Sequence, residues 1–275
     1  MTVKSDTGYT EIAAALKRGL KYLEEEPESF EAASIYAALA WNYSTMDDWN
    51  EANAWTEKAL KVGEKSGNLN AVSRGLAMKG SYLTDTDKID EGLPVWRKAL
   101  DLSLQQDDPF AARITLDLSV YTYPRDLAES MKLMLRFLEL SRQFNVVDYE
   151  ARALGFPFYL NWLKGDWATA LEQLQKASEV IERLDVEVSV AVIEVLAFKG
   201  WLLLSQGNLA MSDENLQKAS ELTKQIPKTT LILRCYLPLG ILRLEQGREE
   251  EAREIFESCV DSFKNFEYTT EPLLH

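Results

Sequence analysis

The stretch GDWATALEQLQKA, residues 165–177, decides how this chain is read. Gly165-Asp166-Trp167 makes a turn and a helix start. Ala170, Leu174 and Ala177 follow at spacings of four and three, on one helical face, with small residues where a second helix comes close. The small residue recurs along the chain. Ala52, Gly92, Ala128, Ala170, Ser212 and Ala252 lie 40, 36, 42, 42 and 40 residues apart. Seven residues after each come Ala59, Ala99, Leu135, Ala177, Ala219 and Cys259. A fixed period of this length means an array of similar supersecondary units, so function should lie on a surface the units build together.

Each unit reads as two amphipathic helices. The fifth repeats the fourth through Gly207, Asn208, Leu209, Leu216 and Ala219, and the sixth through Gly247, Ala252, Phe256 and Cys259. The first has Asp47-Asp48-Trp49, Ala52 and Ala59, and the second Leu76, Gly80, Gly92, Trp96 and Ala99. Upstream of each turn runs another apolar-periodic stretch, where Leu39, Gly80, Gly200 and Gly240 mark the close approach of the first helix to its partner. The third unit reads as degenerate, with Leu116 at the first small position, Lys132 at the aromatic position and Leu135 at the last alanine; the fourth has Phe158 at its first small position.

Over residues 30–265 this pattern resembles the tetratricopeptide repeat (TPR), with a period longer than that family's. The resemblance implies an all-α fold: a right-handed superhelical solenoid of antiparallel helix pairs, about six repeats. Residues 9–26, amphipathic through Ile12, Leu16, Leu20 and Leu23, read as a capping helix, which the end of a solenoid needs. With a short tail over 266–275, the whole of 1–275 reads as one continuous domain.

Prolines mark boundaries at Pro27, Pro109, Pro124, Pro227 and Pro272, but Pro157 and Pro238 fall inside first helices. There they either kink the helix or mean that it starts later.

Composition narrows the function. The chain carries 30 Lys plus Arg against 44 Asp plus Glu, a net charge of −14, which argues against nucleic acid and anionic membrane partners, because phosphate neutralisation needs a basic footprint. No apolar run reaches the ~20 residues of a membrane span, and the first residues lack the apolar core of a signal peptide. Cys235 and Cys259 read as two buried, reduced thiols, and the expected location is cytoplasmic. The single histidine, His275, leaves no residue for His-based acid–base, Ser-His-Asp, Cys-His or His-zinc chemistry. Neither CxxC nor GxGxxG occurs, and Gly75–Ser81 has phosphate-loop glycine spacing without its lysine. The expectation is a protein that is not an enzyme and carries no metal or cofactor.

In the resembled family the first helices line a concave face. Here that register places Trp41, Arg74, Arg113, Tyr121, Arg152, Phe156, Tyr159, Trp162, Phe198, Trp201 and Arg234 on it. Aromatics and Arg are the residues enriched at binding hot spots. Tight packing across the superhelix accounts for the same residues, and the sequence leaves both readings open. The Lys and Asn of the family's carboxylate clamp are replaced by Ala37 and Trp41, so chaperone-tail binding is not expected. The leading expectation is a scaffold for a protein or peptide, mainly around Arg152–Trp162 and Phe198–Trp201. The alternative is a small-ligand-sensing or regulatory module. Self-assembly through an exposed end to a homo-oligomer is a further partner class.

Overall fold

The computed structural model describes residues 7–46, 48–184, 187–226 and 229–264, with the side chains of 7, 8, 159, 160, 163, 229, 230, 263 and 264 left aside. Among these residues there are thirteen helices and no strand. The first is α1 (Thr7–Lys21). Six pairs follow: α2 (Phe30–Thr45) with α3 (Trp49–Ser66), α4 (Leu69–Asp85) with α5 (Ile89–Gln105), and α6 (Phe110–Thr122) with α7 (Leu127–Gln143). Then come α8 (Val147–Leu163) with α9 (Trp167–Ile181), α10 (Val190–Ser205) with α11 (Leu209–Thr223), and α12 (Thr229–Glu245) with α13 (Glu249–Lys264). Among the described residues no helix is long and apolar enough to cross a membrane.

The chain packs as two compact units, the described parts of which are residues 7–133 and 134–264. In the first, α2 lies against α3 and α4, and α4 against α5 and α6. In the second, α8 lies against α9 and α10, and α10 against α11 and α12. First helices therefore neighbour first helices within each unit, which is the arrangement that gathers their side chains on one face.

The turn inside each pair follows from local chemistry. Gly165, Gly207 and Gly247 all take positive φ, 77°, 74° and 72°, where a Cβ is costly. At the same register Asp87 takes φ 62°, one of the few side-chain types that tolerates it. In most pairs the next residue caps the second helix, Lys88 before α5 being an exception. Asp48, Asp166 and Asn208 each accept from the backbone N–H three residues on, satisfying an orphan donor of the first turn.

The small residue four places after the cap is small because it meets the first helix's backbone. A Cβ on Gly92 would sit 2.6 Å from Thr84 Cγ2 and 3.1 Å from the Gly80 carbonyl. Ser212 uses the same proximity, its hydroxyl donating to the Gly200 carbonyl at 2.9 Å. From the opposite side, a Cβ on Gly200 would lie 2.4 Å from Leu216 Cγ, and one on Gly240 2.4 Å from Phe256 Cε1.

This geometry corrects the register of the third repeat. Asp126 accepts from Glu129 N at 2.9 Å, so the small residue four places on is Ser130, whose hydroxyl donates to the Ser119 carbonyl as Ser212 does to Gly200. Ala128 is exposed and Ser130 fully buried. The array then reads Ala52, Gly92, Ser130, Ala170, Ser212, Ala252, with spacings of 40, 38, 40, 42 and 40. Met134 and Phe137, both buried, replace Lys132 and Leu135 as its core positions, and Leu118 replaces Leu116. The expected register was two residues off; with the shift the third repeat keeps its small residue, Ser130, while Leu118 and Phe137 still stand where other repeats have small residues. In the first repeat the counterpart of Gly80 is the buried Ala40 rather than Leu39. Leu135 is 61% exposed, so Leu135→Ala should change unfolding free energy by no more than about 0.5 kcal/mol in a urea titration. The uncorrected register would make it a core truncation costing about 2–5 kcal/mol.

The capping helix is shorter than expected, ending at Lys21, and it buries Ala13 while Ile12 is 49% exposed. Leu16 and Leu20 pack beside Leu39, Tyr43 and Trp49. Pro157 and Pro238 lie well inside α8 and α12, so those helices do not start late, and Pro94 is a third internal proline, in α5. Cys235 and Cys259 are both buried and unpaired as disulfides. Burial pushes the Cys235 thiol up to about 12. Native protein at pH 8–9 should therefore leave Cys235 unlabelled by a thiol reagent, with label appearing only at the rate of unfolding. Prompt stoichiometric labelling at Cys235 would contradict its burial.

Candidate functional site

The first-helix face of residues 7–133 is built from α2, α4 and α6. Trp41 on α2 meets Phe110 of α6 edge to face, with ring centroids 5.3 Å apart. Two arginines stack on this pair: Arg113 lies 4.9 Å from the Trp41 ring and Arg74 lies 5.2 Å from Phe110. Each also has a carboxylate of its own. Arg113 donates through Nε to Asp117 at 2.7 Å, one helical turn on, and Arg74 donates through Nη2 to the buried Asp108 at 3.3 Å. Asp108 in turn accepts from Phe110 N at 2.9 Å, which fixes the start of α6. Tyr121 donates to Asp85 and stacks on Trp96 at 6.2 Å. Burial, then the neighbouring Asp85 charge, holds the Tyr121 phenol well above its usual range. Of the four residues expected on this face, Trp41, Arg74 and Arg113 are brought together around Phe110, while Tyr121 lies against Trp96 and Asp85.

The face in residues 134–264 differs. Arg152 on α8, Glu194 on α10 and Arg234 on α12 share one register and form a ladder across three first helices. Arg152 donates to Glu194 through Nε at 2.9 Å and Nη2 at 3.4 Å, and Arg234 donates to the same carboxylate. The Glu194 side chain is 5% exposed, Arg152 12% and Arg234 30%. Two guanidinium groups against one carboxylate leave one net positive charge. Arg234 also lies 6.0 Å from the Phe156 ring.

Further along the face, Trp162 of α8 and Trp201 of α10 approach to 5.7 Å with their planes tilted by 54°. Both are partly exposed. Trp167, at the start of α9, meets the edge of Trp162 at 6.4 Å and is itself exposed. These three indoles offer wide, stiff, amphipathic area held by rigid helices, the material of a contact surface.

Phe198 was expected on this face and is instead a core residue. It is 6% exposed, its ring tilted by 42° against Phe158 at 5.5 Å and packed beside Leu174 and Leu202. Its register position is buried elsewhere in the array too, at Met78 in the second repeat and Leu116 in the third. The side chain of Tyr159 lies outside the described residues. Asp108, Asp85 and Phe110 are members of these networks that the residue-type argument passed over. Glu194 carried a usable signal, a lone carboxylate in an otherwise apolar helix at the register of two arginines.

No protein-family description matches the chain, and no curated protein matches it in sequence. Solved structures do match in shape. The apo form of RapI superposes with a TM-score of 0.69 at 13% identity, covering 94% of this chain and 93% of that one. A Rap protein complexed with Competence and Sporulation Factor gives 0.69 at 15% identity, covering 95% and 72%. The STAND protein PH0952 from Pyrococcus horikoshii, which has a tetratricopeptide repeat sensor, gives 0.55 at 16% identity, covering 93% of this chain and 41% of that one. The chain has a TPR-like helical-repeat fold. At these identities the likeness concerns the fold, and function has to be argued from the side chains.

Proposed function

We propose that the protein is a non-enzymatic interaction scaffold that holds a peptide or protein segment on the first-helix face of α8, α10 and α12. One observation carries this reading: Trp162 and Trp201, on adjacent first helices, present partly exposed rings beside the Arg152–Glu194–Arg234 ladder. The rings supply apolar contact at low entropic cost, and the ladder's surplus positive charge favours a segment with an acidic group near an apolar one. On the corresponding face of α2, α4 and α6, Arg74 and Arg113 each pair with a carboxylate, Asp108 and Asp117, so that ion-pair set carries no surplus positive charge. A Rap protein of the same fold has been solved with Competence and Sporulation Factor, which makes ligand holding by such an array a reasonable use of this one.

The test is capture from the native cells followed by amide hydrogen exchange on the purified complex. Slowed exchange in α8, α10 and α12 is the expected result. Protection confined to α9, α11 and α13 would place the contact on the second helices and refute the proposal.

A further inference from the structure

At the other end of the second unit, α13 keeps an apolar face that every earlier repeat covers. Four places after the recurrent small residue stand Thr56, Trp96, Met134, Leu174, Leu216 and Phe256; the first five are at most 2% exposed, whereas Phe256 is only half-buried. Eight places after it stand Leu60, Leu100, Leu138, Ser178, Ser220 and Val260, apolar in the first three pairs and the last. Leu60 fills the space that a Cβ on Gly75 of α4 would take, and Leu100 packs in the cluster holding Ile114 and Leu118 of α6. Both contacts are made to the first helix of the next pair. Val260 has no such helix among the described residues and is 51% exposed. Leu244, Phe256 and Val260 thus floor an open groove of about 670 Å³. Its rim carries Glu249, Glu257 and Asp261 against Arg253, which pairs with Glu250 at 2.5 Å.

From this we infer that the α13 groove is a second docking site, for an amphipathic helix of another protein with an apolar stripe flanked by Lys or Arg. The groove has the shape of a missing first helix, so a helix laid along it repeats the packing used between pairs inside the array. Charge selects the occupant. A second copy docked face to face would bring acidic α13 against acidic α13. The segment 265–275 has Glu267 and Glu271 and no Lys or Arg, so it is matched no better. A basic stripe complements the rim and the protein's net charge of −14.

The probe is a pair of synthetic helical peptides with the same leucine stripe, one flanked by lysines and one by glutamates, titrated into the full chain by fluorescence anisotropy. The lysine peptide should bind at least tenfold more tightly. Val260→Asp should weaken it at least tenfold although that change adds negative charge, which separates groove docking from plain attraction to an acidic protein. The double variant E257K/D261K should reverse the preference between peptides, and W162A/W201A should leave it unchanged, which keeps this result apart from the fate of the other face. Equal binding of the two peptides, no binding of either, or lysine-peptide affinity that Val260→Asp leaves intact would overturn the inference. So would a concentration-dependent dimer, seen by light scattering, that Val260→Asp abolishes.

Discussion

Glu194→Ala is expected to destabilise the protein by about 3–5 kcal/mol, the cost typical of removing one partner from a buried ion pair. The carboxylate accepts from both arginines of the ladder and sits almost wholly away from water. Without it, the Arg152 guanidinium remains enclosed beside Arg234 with no counter-charge, and water reaches the site poorly. The loss should appear in urea and thermal unfolding at neutral pH. A companion variant separates charge from packing: R152M/E194L/R234M replaces the whole ladder by apolar side chains and should recover much of the loss, because the desolvation penalty of three charged groups goes with it. Glu194→Ala within about 1 kcal/mol of the wild type would mean that the ladder is hydrated and contributes little to the unit.

The repeat was legible because it is written in residue size. A side chain that abuts another helix's backbone has to be small, and that constraint recurs wherever the contact does, at Gly92 and Ser212 as at Ala170. The register of the third repeat was missed because alanine was weighed above serine. Ala128 is small but faces solvent, whereas Ser130 is buried, its hydroxyl satisfied by the Ser119 carbonyl. Asp126, four places before Ser130 as Asp166 is before Ala170, was the decisive local signal. On the site, the sequence placed Arg152, Arg234, Trp162 and Trp201 on neighbouring first helices. It misplaced Phe198, because an aromatic was weighed by its type and not by its register, which is a buried one at Met78 and Leu116 as well. Nor could residue type tell an arginine open to a ligand from one held by Asp108 or Asp117, since those carboxylates come from other turns of the chain.

W162A/W201A is expected to abolish useful binding of the captured ligand. Buried aromatic anchors contribute about 2 kcal/mol or more each, and the two rings touch, so their losses overlap rather than add. A combined loss of about 3 kcal/mol corresponds to an affinity drop of roughly 100-fold or more. Because Trp162 also packs against the core around Phe158 and Leu174, the variant's unfolding midpoint and helicity have to be measured beside its affinity, with W162F/W201F as the variant that keeps a ring at each place. Leu171→Ala, an exposed change on α9, serves as the second-helix control and should leave affinity within about threefold.

The most direct measurement is calorimetric titration of the purified ligand into the wild type, W162A/W201A and Leu171→Ala. The proposal predicts that the tryptophan variant, folded and helical, loses at least 100-fold in affinity while the α9 control does not. A folded W162A/W201A protein that binds within threefold of the wild type would contradict it.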